Sequence, residues 1–224
     1  MTQQINFSYI NWGPYVHQTN VGLEIVERLL KDGDIVRKKG TTNLHNNHLA
    51  GQLKEQYFYD KPTLEWFYEE MSGHWQCYRK GHEDFHRMLD VSPKGEKAPN
   101  VQMAATNLWV NYMKAGEFNP PHMHTGDLSF VLFLTAPEEI KIEAEQFEGT
   151  SSKPGDVVFM YGEHSHPKWS TNHCNHSPKV GDIIIFPATV SHWVCPFYSE
   201  DVERVSVSGN LSYLEREKWP SDYF

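Results

Sequence analysis

The sequence predicts an α+β protein, with a helical N-terminal region over residues 1–100 packed on an antiparallel β sandwich or barrel carried by residues 101–224. Three observations predict it. Helical apolar periodicity is confined to the first hundred residues. Beyond them the pattern changes to short β-prone runs separated by turn residues. Between the two lies VSPKGEKAPN, residues 91–100, where prolines, a glycine and charges interrupt every apolar period.

From Asn20 to Gly33 the stripe Leu23, Val26 and Leu30 predicts a helix with Asn20 as N-cap and Gly33 as stop. A second stripe, Leu64, Phe67, Tyr68, Met71, Trp75 and Tyr78, predicts a longer helix over about 63–79, opened by Pro62 and a cap at Thr63 and weakened at Gly73. Strands are expected at TNLWVNYM (106–113), LSFVLFLT (128–135), IKIEAEQF (140–147), DVVFMY (156–161), DIIIFP (182–187) and RVSVSGNLSY (204–213). Pro154-Gly155-Asp156 and Gly181-Asp182 supply turns before two of these, and Pro187 ends one.

A chain of 224 residues, 39% apolar, can bury the core of one large domain and is not a disordered tail. Its 20 basic against 29 acidic side chains disfavour a nucleic-acid partner, since phosphate binding leaves a basic footprint. No apolar run approaches the roughly 20 residues of a membrane span, and Met1-Thr2-Gln3-Gln4 does not open a signal segment, so the expected location is the cytoplasm. Cys77, Cys174 and Cys195 are odd in number and irregular in spacing, which argues against a disulfide framework. The thirteen histidines are the anomaly.

The most informative stretch is GEFNPPHMHTGDLSF, residues 116–130, where His122 and His124 stand two apart at the mouth of a strand. In extended backbone such residues point to one side, so two neutral imidazoles can converge on a first-row metal. A polar loop explains the pair equally well. In IIIFPATVSHWVCPF an apolar strand ends in a turn and then presents His192 among apolar neighbours, where it needs either a metal or a carbonyl as partner. Farther on, Arg204-Val205-Ser206-Val207-Ser208 alternates strictly. With the valines turned to a covering layer, Arg204 and Ser206 would line the barrel and suit a carboxylate, which guanidinium binds bidentately. With the polar face outward, they would simply be solvated.

Taken in order, HxH, a distant histidine after an FP turn, and RxS resemble the Fe(II)- and 2-oxoglutarate-dependent oxygenases over about residues 105–213. The likeness is to the branch of marine bacteria and T4-like phages, through WVNYMKAGEFNPPHMHTGDLSFVLFL, FPATVSHWVCPF and ERVSVSGNL. That resemblance implies a double-stranded β-helix, a jelly-roll or cupin-like barrel whose mouth holds iron. It implies His122 and His192 as metal ligands, Arg204 and Ser206 gripping the far carboxylate of 2-oxoglutarate, and Asn111 and Tyr112 as further cosubstrate contacts. Dioxygen is the other cosubstrate, the primary substrate is unknown, and a phage-encoded enzyme would work in the host cytoplasm.

One departure matters. Where most family members carry a carboxylate two residues after the first histidine, this chain has His124, and the third ligand is either His124 or Asp127 reached by a bend at Thr125-Gly126. Gly116 followed by His122-x-His124 also opens like a cupin motif, but the glutamate and the Pro-x-Gly that cupins need next are missing. A catalytically silent barrel used for binding is a third class. The stretch 161–181, with His164, His166, His173, Cys174 and His176, reads as a loop beside the site more than as a zinc centre.

Overall fold

The computed structural model describes residues 13–40, 51–88, 102–162 and 172–214. The boundary read at 91–100 and the residues His164 and His166 lie outside them. Two antiparallel sheets face each other. The larger contains β1 (His17–Asn20), β2 (Glu55–Phe58), β3 (Gln102–Met113), β5 (Leu128–Phe133), β8 (Asp182–Pro187) and β10 (Arg204–Leu214), in the order β1-β8-β5-β10-β3-β2. The smaller contains β4 (Asn119–His122), β6 (Val157–Met160), β7 (His173–His176) and β9 (Ser191–Val194), in the order β4-β9-β6-β7. From β3 to β10 the chain alternates between the sheets, apart from the β6–β7 pair that turns within one. That winding is the double-stranded β-helix.

Strand alternation divides the large sheet into two faces. Leu108, Val110, Tyr112, Phe130, Leu132, Ile183, Ile185, Val205 and Val207 pack toward the helices in the main core. Val131, Phe133, Ile184 and Phe186 pack with Val157, Phe159 and Val190 in a second cluster inside the barrel. Both faces of the central strands are buried, so their sequences read as continuous apolar runs.

The helices α1 (Leu23–Lys39), α2 (Lys61–Glu70) and α3 (Ser72–Met88) cover the outer face of the large sheet, and α4 (Glu138–Gln146) follows β5. α1 runs past the expected stop: Leu23 is exposed, Gly22 is the N-cap instead of Asn20, and the buried stripe is Ile25, Val26, Leu29 and Val36. Gly33 sits inside the helix because a Cβ there would come within 2.7 Å of the Tyr112 hydroxyl. The helix expected over 63–79 breaks at Met71, and Asp60, not Thr63, caps it by accepting from Thr63 N at 3.1 Å. Phe67 and Trp75, on either side of the break, both meet the Phe130 ring, so one aromatic contact ties α2 and α3 to β5.

The expected strand IKIEAEQF is α4. Its alternation misleads: Glu138 and Glu139 favour a helix N-terminus, Pro137 caps it, and only Ile140 is buried while Ile142 is exposed. Two strands carry no apolar signal. β4 holds Pro120 and Pro121, tolerated because it is an edge strand, and β7 is the polar HCNH paired to β6. Thus His173, Cys174 and His176 belong to a strand rather than to the expected loop. β1 and β2, from the region read as helical, extend the large sheet at its two edges.

Candidate active site

His122 and His192 are cross-strand partners on β4 and β9. His124 follows β4 in extended chain, held by its N–H donating to Ala188 O at 2.9 Å. Ring centroids of His122 and His192 are 4.3 Å apart, and those of His124 lie 5.0 and 4.9 Å from the other two. One nitrogen from each lies within 4.8 Å of the others, and this is the only such group of three ligand-type side chains among the described residues. His124 Nε2 and His192 Nε2 are 3.2 Å apart. Nitrogens that close could be shared by one first-row cation.

The imidazoles are oriented from behind. His122 Nδ1 donates to Pro120 O at 2.7 Å and His192 Nδ1 to Val190 O at 3.0 Å, leaving the Nε2 lone pairs for the shared point. Burial pushes the His122 pKa below its ordinary value and that of His192 down to about 4, with the neighbouring His122 adding to the latter. Both are therefore neutral near pH 7, the form a metal ligand needs. The donor set fits a divalent first-row cation. Asp127 is exposed and outside the cluster, its backbone pinned between Leu211 O and Ala188 N.

The same pocket extends along β10 and β3 and is lined by Gln56, Asn111, Arg204, Ser206 and Ser208, with no aspartate or glutamate in its wall. Val205 and Val207 face the helical layer, so the solvated alternative for the RxS segment is excluded: Arg204 is 3% exposed. Its Nη1 donates to Gly155 O at 2.6 Å, Nη2 meets Met113 Sδ at 2.8 Å, and Nε is buried without a hydrogen-bond partner. Burial lowers its pKa from the ordinary arginine range to about 10, against the weaker opposing pull of Cys195 and Asp156. Ser208 pairs with Trp109, whose ring is 5.8 Å from that of His124, whereas Arg204 pairs with Met113. Along β10 the pocket therefore runs from Ser208, opposite Trp109, to Arg204, opposite Met113.

Asn111 reaches this pocket. Tyr112 does not: as its neighbour on β3 it points to the opposite face, under the Arg37 guanidinium at 4.1 Å from its ring. Sequence reasoning missed Gln56, which β2 inserts beside Asn111 with its Nε2 donating to Asn111 Oδ1 at 2.8 Å. No motif surrounds it; the only signal is a polar residue inside the short run EQYF.

Residues 107–210 match the family model described as "Putative 2OG-Fe(II) oxygenase". The match spans β3 to β10, hence all three histidines, Asn111, Arg204 and Ser206. It agrees with the oxygenase class and the Fe(II) and 2-oxoglutarate pair that the resemblance implied. No curated protein matches the sequence. Among solved structures the chain is similar to a Pseudomonas putida prolyl-4-hydroxylase, at 13% identity and TM-score 0.49, covering 90% of this chain and 92% of that one. It is similar to the viral collagen prolyl hydroxylase of Paramecium Bursaria Chlorella virus-1 at 14% identity and TM-score 0.49, covering 89% and 96%. A Trichoplax adhaerens prolyl hydroxylase follows at 13% identity and TM-score 0.49, covering 90% and 84%. At that distance these likenesses carry nothing about substrate. No described helix is long and apolar enough to cross a membrane.

Proposed function

We propose that the chain is an Fe(II)- and 2-oxoglutarate-dependent dioxygenase that hydroxylates a carbon of a second substrate, R–H + O2 + 2-oxoglutarate giving R–OH + succinate + CO2. His122, His124 and His192 hold the metal; Arg204, Ser206 and Asn111 hold the cosubstrate. Fe(II) supplies the activation of dioxygen that is coupled to decarboxylation of 2-oxoglutarate. The observation that carries the reading is Arg204: a buried guanidinium with no carboxylate within ion-pair distance among the described residues, in one pocket with three converging imidazoles. A buried cation calls for an anion, and a dicarboxylate whose keto-acid end meets the metal presents its other carboxylate there. This favours 2-oxoglutarate chemistry over a cupin-like enzyme that lacks the cosubstrate.

In this reading residues 101–224 are the catalytic core, and residues 1–100 pack on it and lend Gln56 to the pocket. His124 is the third ligand in preference to Asp127, supported by its place in the histidine cluster. The orienting carbonyls behind His122 and His192 keep both rings in the Nε2-ligating tautomer, and the apolar lining from Val131, Phe133 and Phe186 keeps bulk water from the reaction. The cytoplasm, of a host if the gene is a phage's, suits a dependence on free 2-oxoglutarate. The test is anaerobic addition of Fe(II) followed by 2-oxoglutarate. A visible charge-transfer band that needs both supports the reading; its absence, with metal bound, refutes it.

A further inference from the structure

Gln56 is 1% exposed and faces the pocket from β2, where its side chain bonds Asn111. Its role follows from the direction of a short hydrogen-bond chain. Asn111 Nδ2 lies 3.5 Å from Ser206 O, 3.4 Å from Ser206 Oγ and 3.3 Å from Ser208 Oγ. A backbone carbonyl can only accept, so the side of the Asn111 amide that faces β10 is its nitrogen. Its oxygen must then face Gln56, which has to donate, and Gln56 Nε2 does so at 2.8 Å. The two amide protons serve these three acceptors, one shared between Ser206 O and Ser206 Oγ and the other on Ser208 Oγ, so each serine hydroxyl accepts from Asn111 and keeps its own proton for another partner. With Arg204 Nε also lacking an acceptor, this part of the wall offers protons and no carboxylate.

We propose that Gln56 is a positioning residue that sets the hydrogen-bond polarity of the cosubstrate pocket: by donating to Asn111 it turns the Ser206 and Ser208 hydroxyl protons inward, so that the wall selects a carboxylate. The inference rests on the function proposed above and deepens it. Gln56 acts through Asn111 and the serines, and its effect belongs to cosubstrate affinity rather than to metal binding. The isosteric Q56E reverses the chain. A carboxylate can only accept, so it draws the Asn111 nitrogen toward itself, and the Asn111 oxygen then takes the serine protons. Q56M, similar in volume and apolar, leaves the Asn111 amide unguided without reversing it.

The experiment measures 2-oxoglutarate binding to the full chain loaded with Fe(II) under nitrogen, for wild type, Q56E and Q56M, at pH 8 and pH 6, with metal content determined in parallel. The expected result at pH 8 is at least a tenfold weaker dissociation constant for Q56E, a smaller loss for Q56M, and unchanged metal content in both. At pH 6 the ratio of Q56E to wild type falls, because the introduced carboxyl, once protonated, can again donate to Asn111. Taking the ratio removes the pH dependence of the histidines. Equal affinity of Q56E and wild type at pH 8, or equal losses in Q56E and Q56M with no pH dependence, overturns the inference and reduces Gln56 to packing. Wild type that holds metal but no 2-oxoglutarate overturns the function itself. If Q56E does not fold, N111D replaces it: it has no amide nitrogen, accepts from Gln56 and the serines alike, and is expected to show the same tenfold loss.

Discussion

Arg204→Met should stabilise the metal-free protein while abolishing cosubstrate binding. The guanidinium is 3% exposed, and burial pulls its pKa below the ordinary arginine range to about 10. At about 1.4 kcal/mol per pKa unit, keeping it charged costs the apo fold ~3 kcal/mol. Methionine is of similar length, carries no charge and packs against Met113 and Phe133, which already surround the group. The loss of the bond to Gly155 O leaves one carbonyl unpaired, at about 1 kcal/mol. The balance is ~2 kcal/mol in favour of the variant, the sign seen when buried charges give way to apolar residues. For a chain of this size that is roughly a 4–8 °C rise in melting temperature. The assay is thermal melting of metal-free wild type and variant, paired with 2-oxoglutarate titration of the Fe(II)-loaded proteins. Loss of the buried charge partner should weaken binding by about 2–5 kcal/mol. A variant that melts several degrees lower, or binds 2-oxoglutarate as wild type does, refutes the reasoning.

Four further outcomes are expected. His192→Ala should leave less than one-tenth of the wild-type metal after desalting, by elemental analysis, with wild-type-like retention counting against the site. His124→Ala should lower Fe(II) affinity about as much as His122→Ala, while Asp127→Asn changes it little; the reverse pattern in an anaerobic titration would give the third ligand to the aspartate. Glu55, bonded to Arg37 at 2.6 Å and Lys114 at 2.7 Å, has its pKa held down to about 2 mainly by the Arg37 hydrogen bond. Its stabilisation is complete above its unfolded value of about 4.5 and lost as pH falls through the folded one, so Glu55→Gln should cost about 1–2 kcal/mol at pH 7, after allowance for its partial exposure, and nothing near pH 2 in acid-dependent urea melts. Gly209→Ala should cost at least ~2 kcal/mol in the same melts, because its Cβ would stand 2.6 Å from Asn107 O and 2.7 Å from the Phe130 ring; a neutral result would mean that β10 and β3 can part more easily than their pairing implies.

The parity of extended chain made much of the site legible. His122 and His124 at i, i+2, and Arg204 and Ser206 at the same spacing, meet in one pocket. The same parity, applied to Asn111 and Tyr112, separates them, and the expectation that both touch cosubstrate overlooked it. His192 was legible as a polar residue stranded among apolar ones. Gln56 was not, because its partner Asn111 is 55 residues away and strand pairing between β2 and β3 leaves no local pattern. β7 escaped for a related reason: HCNH has no apolar alternation, and it is a strand only because β6 offers it an edge. In α4 a true alternation of isoleucines was outweighed by helix-forming glutamates on a surface segment, where burial does not decide.

The place of β10 between β3 and β5 has a consequence for how the chain comes into being. Of the ten strands described it is the last to leave the ribosome, yet it is the one that joins the two halves of the large sheet. About 90 residues separate Met113 from its partner Arg204. At roughly 5–20 residues per second, β3 waits some 5–20 s with one side unpaired. The opposite side of β3 meets β2, which is made earlier, so a nascent β2–β3 pairing can cover Trp109–Tyr112 on that side during the interval. The N-terminal helices, whose docking face includes Val205 and Val207 of β10, complete their seat only after that strand arrives. Folding of this chain is thus set up as a late, single closure, slow in the manner of chains whose decisive contacts are distant in sequence.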